Sequence, residues 1–161
     1  MEIRRAEQTD LDEIMRIYRC AQDFMIRTGN PNQWARRYPT RALLEADVRE
    51  GTCFVCTENG TLHGVFVLRF GEEPTYRAID GAWPDDAPYV TIHRVASDGE
   101  AHGIFPAAVA FCRTLSDVIR VDTHEDNRVM QRRIAAEGFV YCGIIRVADG
   151  SPRRAYQWNR K

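Results

Sequence analysis

Two histidines stand where a protein could use them to move a proton. His93 lies inside an extended run, Tyr89–Ala96, and His124 follows a second run, Ile119–Thr123. Asp122 sits two residues before His124, so the two share one side of a pleated strand. A histidine titrates near pH 6.5, which suits it to receive a proton released near neutrality, and a neighbouring carboxylate favours its charged form. The same residues also fit a polar strand end hydrogen-bonded into its loop, or a histidine satisfied by its packing. His63, beside a turn, reads as surface.

A different chemistry is offered by Gly103, which follows the first run and opens a helix, and by Asn127, which opens the next helix. The first N–H groups of a helix have no partner inside it, and the positive end of the dipole faces the same way. Such a terminus favours an anion such as a phosphate. His102 adjoins Gly103 and can reach the same anion or stand free in solvent. Asn127 serves equally well as a helix cap. Pro106 costs the helix start little, although one N–H is lost with it.

These residues are positioned by a regular alternation of elements. A short strand, 2–5, precedes Thr9, which with Asp12 three residues on reads as a capping box. Leu11, Ile14, Ile17, Tyr18, Ala21 and Met25 then recur at helical spacing. A second helix runs from about Thr40 to Gly51. Strands 52–58 and 62–70 flank Asn59-Gly60, a hairpin signal because both residues tolerate positive φ. Residues 71–88, rich in proline and acidic residues, read as a long loop of the kind that often carries function. Strand 89–96, helix 103–116, strand 119–123, helix 127–137 and strands 139–148 and 153–158 complete the chain. The order β-α-α-β-β-β-α-β-α-β-β describes an α/β (α+β) domain over residues 1–161, with helices on both faces of a mixed sheet.

Composition excludes several classes. A net charge of −1 with scattered arginine pairs leaves no basic face for nucleic acid or anionic membrane. No apolar run approaches the length of a membrane span and the N-terminal residues do not resemble a signal peptide, which predicts a cytoplasmic protein. The five cysteines read as reduced structural thiols. Cys53 and Cys56 lack a second pair to complete a zinc site, and Asp122, His124 and Glu125 are too close together for an open one, so no metal is expected.

The element order with these motifs resembles the GCN5-related N-acetyltransferase (GNAT) superfamily over essentially the whole chain. The resemblance rests on Asn127 and Gly138-Phe139 at the two ends of one helix, and on strand 89–96 followed by Gly103. The stretches NPNQW…YPTRALLEADVREG and DTHEDN…YCGII…DGSPR are similar to one bacterial branch of that family. The resemblance implies a mostly antiparallel sheet with a splay between its central strands, and acetyl-CoA lying across that splay as co-substrate. It further implies that Val95 supplies a backbone N–H to the acetyl carbonyl, while His102, Gly103, Ile104 and Asn127 hold the cofactor. Trp34 and Tyr38 would wall the pocket of a small amine, and His93 or His124 would accept its proton. Dimers are common in this fold, so a homodimer is compatible with it.

Three positions depart from the family pattern. Glu100 stands where arginine or glutamine is usual, Phe105 where a second small residue is usual, and Ile134 where many members carry a tyrosine that protonates the departing thiolate. Glu100 pointing to solvent and Phe105 turning inward would soften the first two. Tyr89, Tyr141 and Cys142 are the nearby candidates for the acid. A protein of the same fold that binds CoA or another ligand without catalysis is the alternative.

Overall fold

The computed structural model describes residues 1–161. In chain order the elements are β1 (Glu2–Arg5), α1 (Leu11–Arg27), α2 (Arg41–Arg49), β2 (Cys53–Glu58), β3 (Thr61–Phe70), β4 (Asp80–Gly81), β5 (Val90–Ser97), α3 (Ile104–Arg113), β6 (Val118–Thr123), α4 (Arg128–Ala136), β7 (Val140–Arg146) and β8 (Pro152–Asn159). The strands form one sheet in the order β1-β2-β3-β5-β6-β8-β7-β4. Every pairing is antiparallel except β5 with β6.

Strand alternation divides the apolar side chains between two layers. Phe54, Phe66, Ile92 and Val121 pack with Ile104, Phe105 and Ile134 of α3 and α4. Val55, Val65 and Ala96 pack with Ile14, Ile17 and Leu44 of α1 and α2. Helices therefore cover both faces, as the sequence predicts. At Gly64 of β3 a Cβ would lie 2.6 Å from Ile104 Cγ2, so glycine there lets the first turn of α3 seat against the sheet. The hairpin between β2 and β3 turns on Asn59 and Gly60, with φ of 50° and 79°.

The parallel ladder between β5 and β6 is short. It holds at Val90 with Ile119 and Thr91 with Arg120, and then stops. On its other side β5 carries a bulge: Val67 pairs His93 and Val65 pairs Ala96, so Arg94 and Val95 together face one residue of β3. Arg94 has φ of 51°, a left-handed conformation that costs a side-chain-bearing residue free energy. Tertiary contacts hold it there. Its carbonyl accepts from the Tyr18 hydroxyl at 2.7 Å, and its guanidinium donates to Asp47 at 2.6 Å. A bulge bends its strand, and β5 parts from β6 on this stretch.

Several expectations need correction. The first helix is capped earlier than Thr9: Glu7 and Asp10 form the capping box, and α1 follows a turn of 3-10 helix at Gln8–Asp10. Asp10 wins because its carboxylate also binds Arg4 through both oxygens, at 2.8 and 3.0 Å. The segment 71–88 is not bare loop. It holds a 3-10 turn at Pro74–Tyr76 and an eighth strand, β4, which extends the sheet beyond β7. Cys53 and Cys56 point to opposite faces, because residues three apart on a strand alternate, and burial pushes both thiols up to about 12. No helix is long and apolar enough to cross a membrane.

Candidate active site

Where β5 and β6 part, a cavity of about 620 Å³ opens. Ala21, Met25 and Trp34 line it from the α1/α2 layer, and Ile92, Val121 and Met130 from the α3/α4 layer. It therefore passes between the strands and reaches both faces of the sheet.

His93 lines the cavity on the α1/α2 side. Its Nε2 lies 3.0 Å from Glu73 Oε2. Glu73 comes from the segment after β3 and is itself held. Its N–H donates to the Tyr89 hydroxyl at 2.8 Å, and its Oε1 accepts from the Thr75 hydroxyl at 3.1 Å. The hydrogen bond to His93 outweighs burial and holds the Glu73 carboxyl down to about 2, so Glu73 is a carboxylate near neutrality. A carboxylate accepts only, so in the neutral imidazole Nε2 carries the proton and Nδ1 the lone pair. That is the state a proton acceptor needs.

Asp122 also lines the cavity and accepts from the Tyr76 hydroxyl at 2.7 Å. Burial pushes its carboxyl up against the opposing pull of His93, Tyr76 and Arg153. The α2 side contributes a third group. Asp47, fully buried, accepts from Arg69 at 3.1 Å and from Arg94 at 2.6 Å. Arg94 also donates to the Tyr38 hydroxyl at 2.9 Å, and Arg69, Arg94 and Tyr38 all line the cavity.

The second histidine lies elsewhere. The strand ends at Thr123, alternation ends with it, and His124 turns into the connection to α4. Its Nδ1 accepts from the Asp126 N–H at 3.0 Å and its carbonyl from the Asn127 N–H at 3.0 Å, and it is not part of the cavity wall. Asn127 is part of that wall. Its Oδ1 caps α4 by accepting from the Met130 N–H at 3.1 Å, while its Nδ2 donates to Gln33 Oε1 at 3.0 Å. Val95 and Trp34 line the cavity as well, with Trp34 packed edge-on against Tyr18. Gly103 caps α3 with φ of 79°, and the first intrahelical donor is Ala107. The Gly103, Ile104 and Phe105 N–H groups precede it; the Ile104 side chain is buried in the core, and His102 is exposed beside them.

The sequence matches no family model and no curated protein. Among solved structures, a GNAT-family acetyltransferase from Streptococcus agalactiae is 30% identical, with a TM-score of 0.90 over 99% of this chain and 95% of that one. The chain belongs to the GNAT family of acetyltransferases. A second GNAT-family structure, from Listeria monocytogenes, is 20% identical with a TM-score of 0.69, covering 98% of this chain and 94% of that one. The yncA protein of Salmonella typhimurium, solved with its cofactor acetyl-CoA, is 19% identical with a TM-score of 0.61, covering 99% and 94%. These two show the shared fold.

Within this GNAT chain the departures from the family pattern have a structural account. Glu100 is exposed, and its N–H donates to Asp98 Oδ1 at 3.0 Å. Phe105 is buried and packs toward Phe139, so its bulk lies away from the helix terminus. Ile134 is fully enclosed in the same core. None of the three candidate acids lines the cavity. Tyr141 is exposed and packs edge-on against Tyr156, the Cys142 thiol is pushed up by burial, and the Tyr89 hydroxyl is engaged by the Glu73 N–H.

The sequence reading missed Glu73, Gln33, Asp47, Arg69 and Arg94. Glu73 is one of several acidic residues in its segment, and nothing local distinguishes it. Arg94 did carry a signal: an arginine in the middle of the strand-like run VTIHRVA needs a buried partner.

Proposed function

We propose that the protein transfers an acetyl group from acetyl-CoA to the nitrogen of a small amine, with His93 accepting the ammonium proton and Glu73 orienting His93. The observation that carries this reading is the Glu73–His93 pair inside a cavity that passes through the sheet. That passage lets an amine on the α1/α2 side meet a thioester on the α3/α4 side.

The residues present fit the co-substrate. The N–H groups at the start of α3 offer donors to a pyrophosphate. Val95, at the bulge, occupies the position where family resemblance places the N–H that polarises the thioester carbonyl.

His93 Nδ1 takes one proton from the ammonium. The neutral nitrogen then attacks the carbonyl carbon, the C–N bond forms and the C–S bond breaks. The second proton of the nitrogen ends on the sulfur. A thiolate is stable enough near neutrality to leave without the family tyrosine that Ile134 replaces. Binding without turnover is the second reading, and the core position of Ile134 favours it. Two assays separate them. Acetyl-CoA at a hundredfold excess over Kd should stabilise the fold by about 2.7 kcal/mol. Thiol release across a panel of amines should follow, and its absence would leave only the binding reading.

A further inference from the structure

We propose that the acceptor is an α-amino acid with an apolar side chain, its carboxylate held by Arg69, Arg94 and Tyr38 while its amino group faces His93. This rests on the acetyl-transfer reading of the same cavity.

The two arginines share one buried carboxylate. Asp47 gives one oxygen to each guanidinium, so one positive charge at this wall lacks a buried counterpart. Glu50 stands 3.5 Å from Arg69 Nη1, but its side chain is 52% exposed and its charge is screened by water. Arg94 is the more constrained of the pair. Its side chain is 9% exposed, and its Nε is enclosed with no acceptor. A buried guanidinium donor without a partner is costly and leaves Arg94 under-compensated by Asp47. Tyr38 adds a directed donor, because its oxygen already accepts from Arg94 Nη1 and its own hydrogen is left over.

Spacing ties this wall to the proton acceptor. Arg69 pairs Thr91 across the β3/β5 ladder, and His93 lies two residues beyond Thr91 on the same face. Such diagonal neighbours are about 7–8 Å apart at Cα, and both side chains rise into the cavity. An amino group and a carboxylate on one carbon fit between them. A single surplus charge matches a carboxylate better than the nearly double charge of a phosphate. On the α1 side Phe24, Met25 and Trp34 form an apolar and aromatic stretch of the wall, and Phe24 is 39% exposed. That wall suits a side chain like those of phenylalanine, methionine or leucine.

The test compares phenylalanine, phenylalanine amide, 2-phenylethylamine and O-phosphoethanolamine as acceptors with saturating acetyl-CoA. The expected result is a kcat/KM for phenylalanine about tenfold or more above the other three. Arg69→Gln should lower the phenylalanine-to-phenylethylamine ratio about tenfold, chiefly through KM. Phenylethylamine used as well as phenylalanine, or a ratio unmoved by Arg69→Gln, would overturn the proposal. A preference for the phosphorylated amine would overturn it in favour of a phosphate. Calorimetric titration of phenylalanine and phenylethylamine in the presence of CoA reads the same contact without turnover. If no amine is acetylated, the acetyl-transfer reading fails on its own, and equal affinity of the two ligands in that titration overturns the carboxylate contact separately.

Discussion

Asn127 Nδ2 donates to Gln33 Oε1 at 3.0 Å, joining residues 94 positions apart across the mouth of the cavity. Gln33 belongs to the connection between α1 and α2, and the same oxygen accepts from Asn30 Nδ2 at 2.8 Å. Asn127 spends its own oxygen on the cap of α4. The α1–α2 connection and the first turn of α4 are thus one hydrogen-bonded unit.

Gln33→Leu should therefore disturb both substrates. Each lost hydrogen bond is worth about 1 kcal/mol, so a modest drop in melting temperature is expected. The diagnostic result is a rise in KM for acetyl-CoA together with KM for the amine. A change confined to the amine would mean that the link does not couple the two sides.

Glu73 makes a pH-dependent contribution to stability. Its carboxyl sits at about 2 in the fold against an ordinary 4.5, so the contribution is fully present above 4.5 and is lost as pH falls from there through 2. Glu73→Gln should accordingly be less stable than the parent at pH 7, with a gap that narrows below about pH 4.5. Urea melts of both proteins from pH 2 to 7 check this, and a constant gap would show that the His93 pairing contributes nothing.

Asp47→Ala should be among the most damaging single substitutions. It removes the one carboxylate that two guanidinium groups share in a buried position, and breaking such a pair costs about 3–5 kcal/mol. It also frees Arg94 from its left-handed conformation at the bulge. Denaturant unfolding reads the loss; a variant as stable as the parent would show that the cluster does not hold β5 in place.

Gly64→Ala tests the seat of α3. The new Cβ would meet the Ile104 side chain at 2.6 Å, and overpacking of this kind costs about 1–3 kcal/mol. Ile104→Ala removes Cγ2, Cδ1 and Cγ1, the three atoms that approach that Cβ most closely. The pair should be closer to the parent than the sum of the single changes, and strict additivity would contradict the contact.

What the sequence made legible follows from periodicity. The α1 stripe from Leu11 to Met25, the Asn59-Gly60 hairpin and the succession from β5 to α4 are local patterns, and each appears where it is expected. Asn127 as a helix cap is likewise local. The bulge at Arg94 is not, because its left-handed backbone is held by Tyr18 and Asp47 from other elements. Glu73 becomes special only when its segment folds back over β5 to meet His93. His124 stands outside the cavity wall because β6 and its alternation end at Thr123. Phe105 and Ile134 are departures in a motif but ordinary core residues in three dimensions.

The most direct test of the account is the turnover number of His93→Gln on an amine that the parent acetylates, with KM for acetyl-CoA measured alongside. Loss of a positioned proton acceptor predicts a fall in kcat of about 10²–10⁴-fold, with the KM for acetyl-CoA little changed. A kcat within a few-fold of the parent would contradict the assignment of His93.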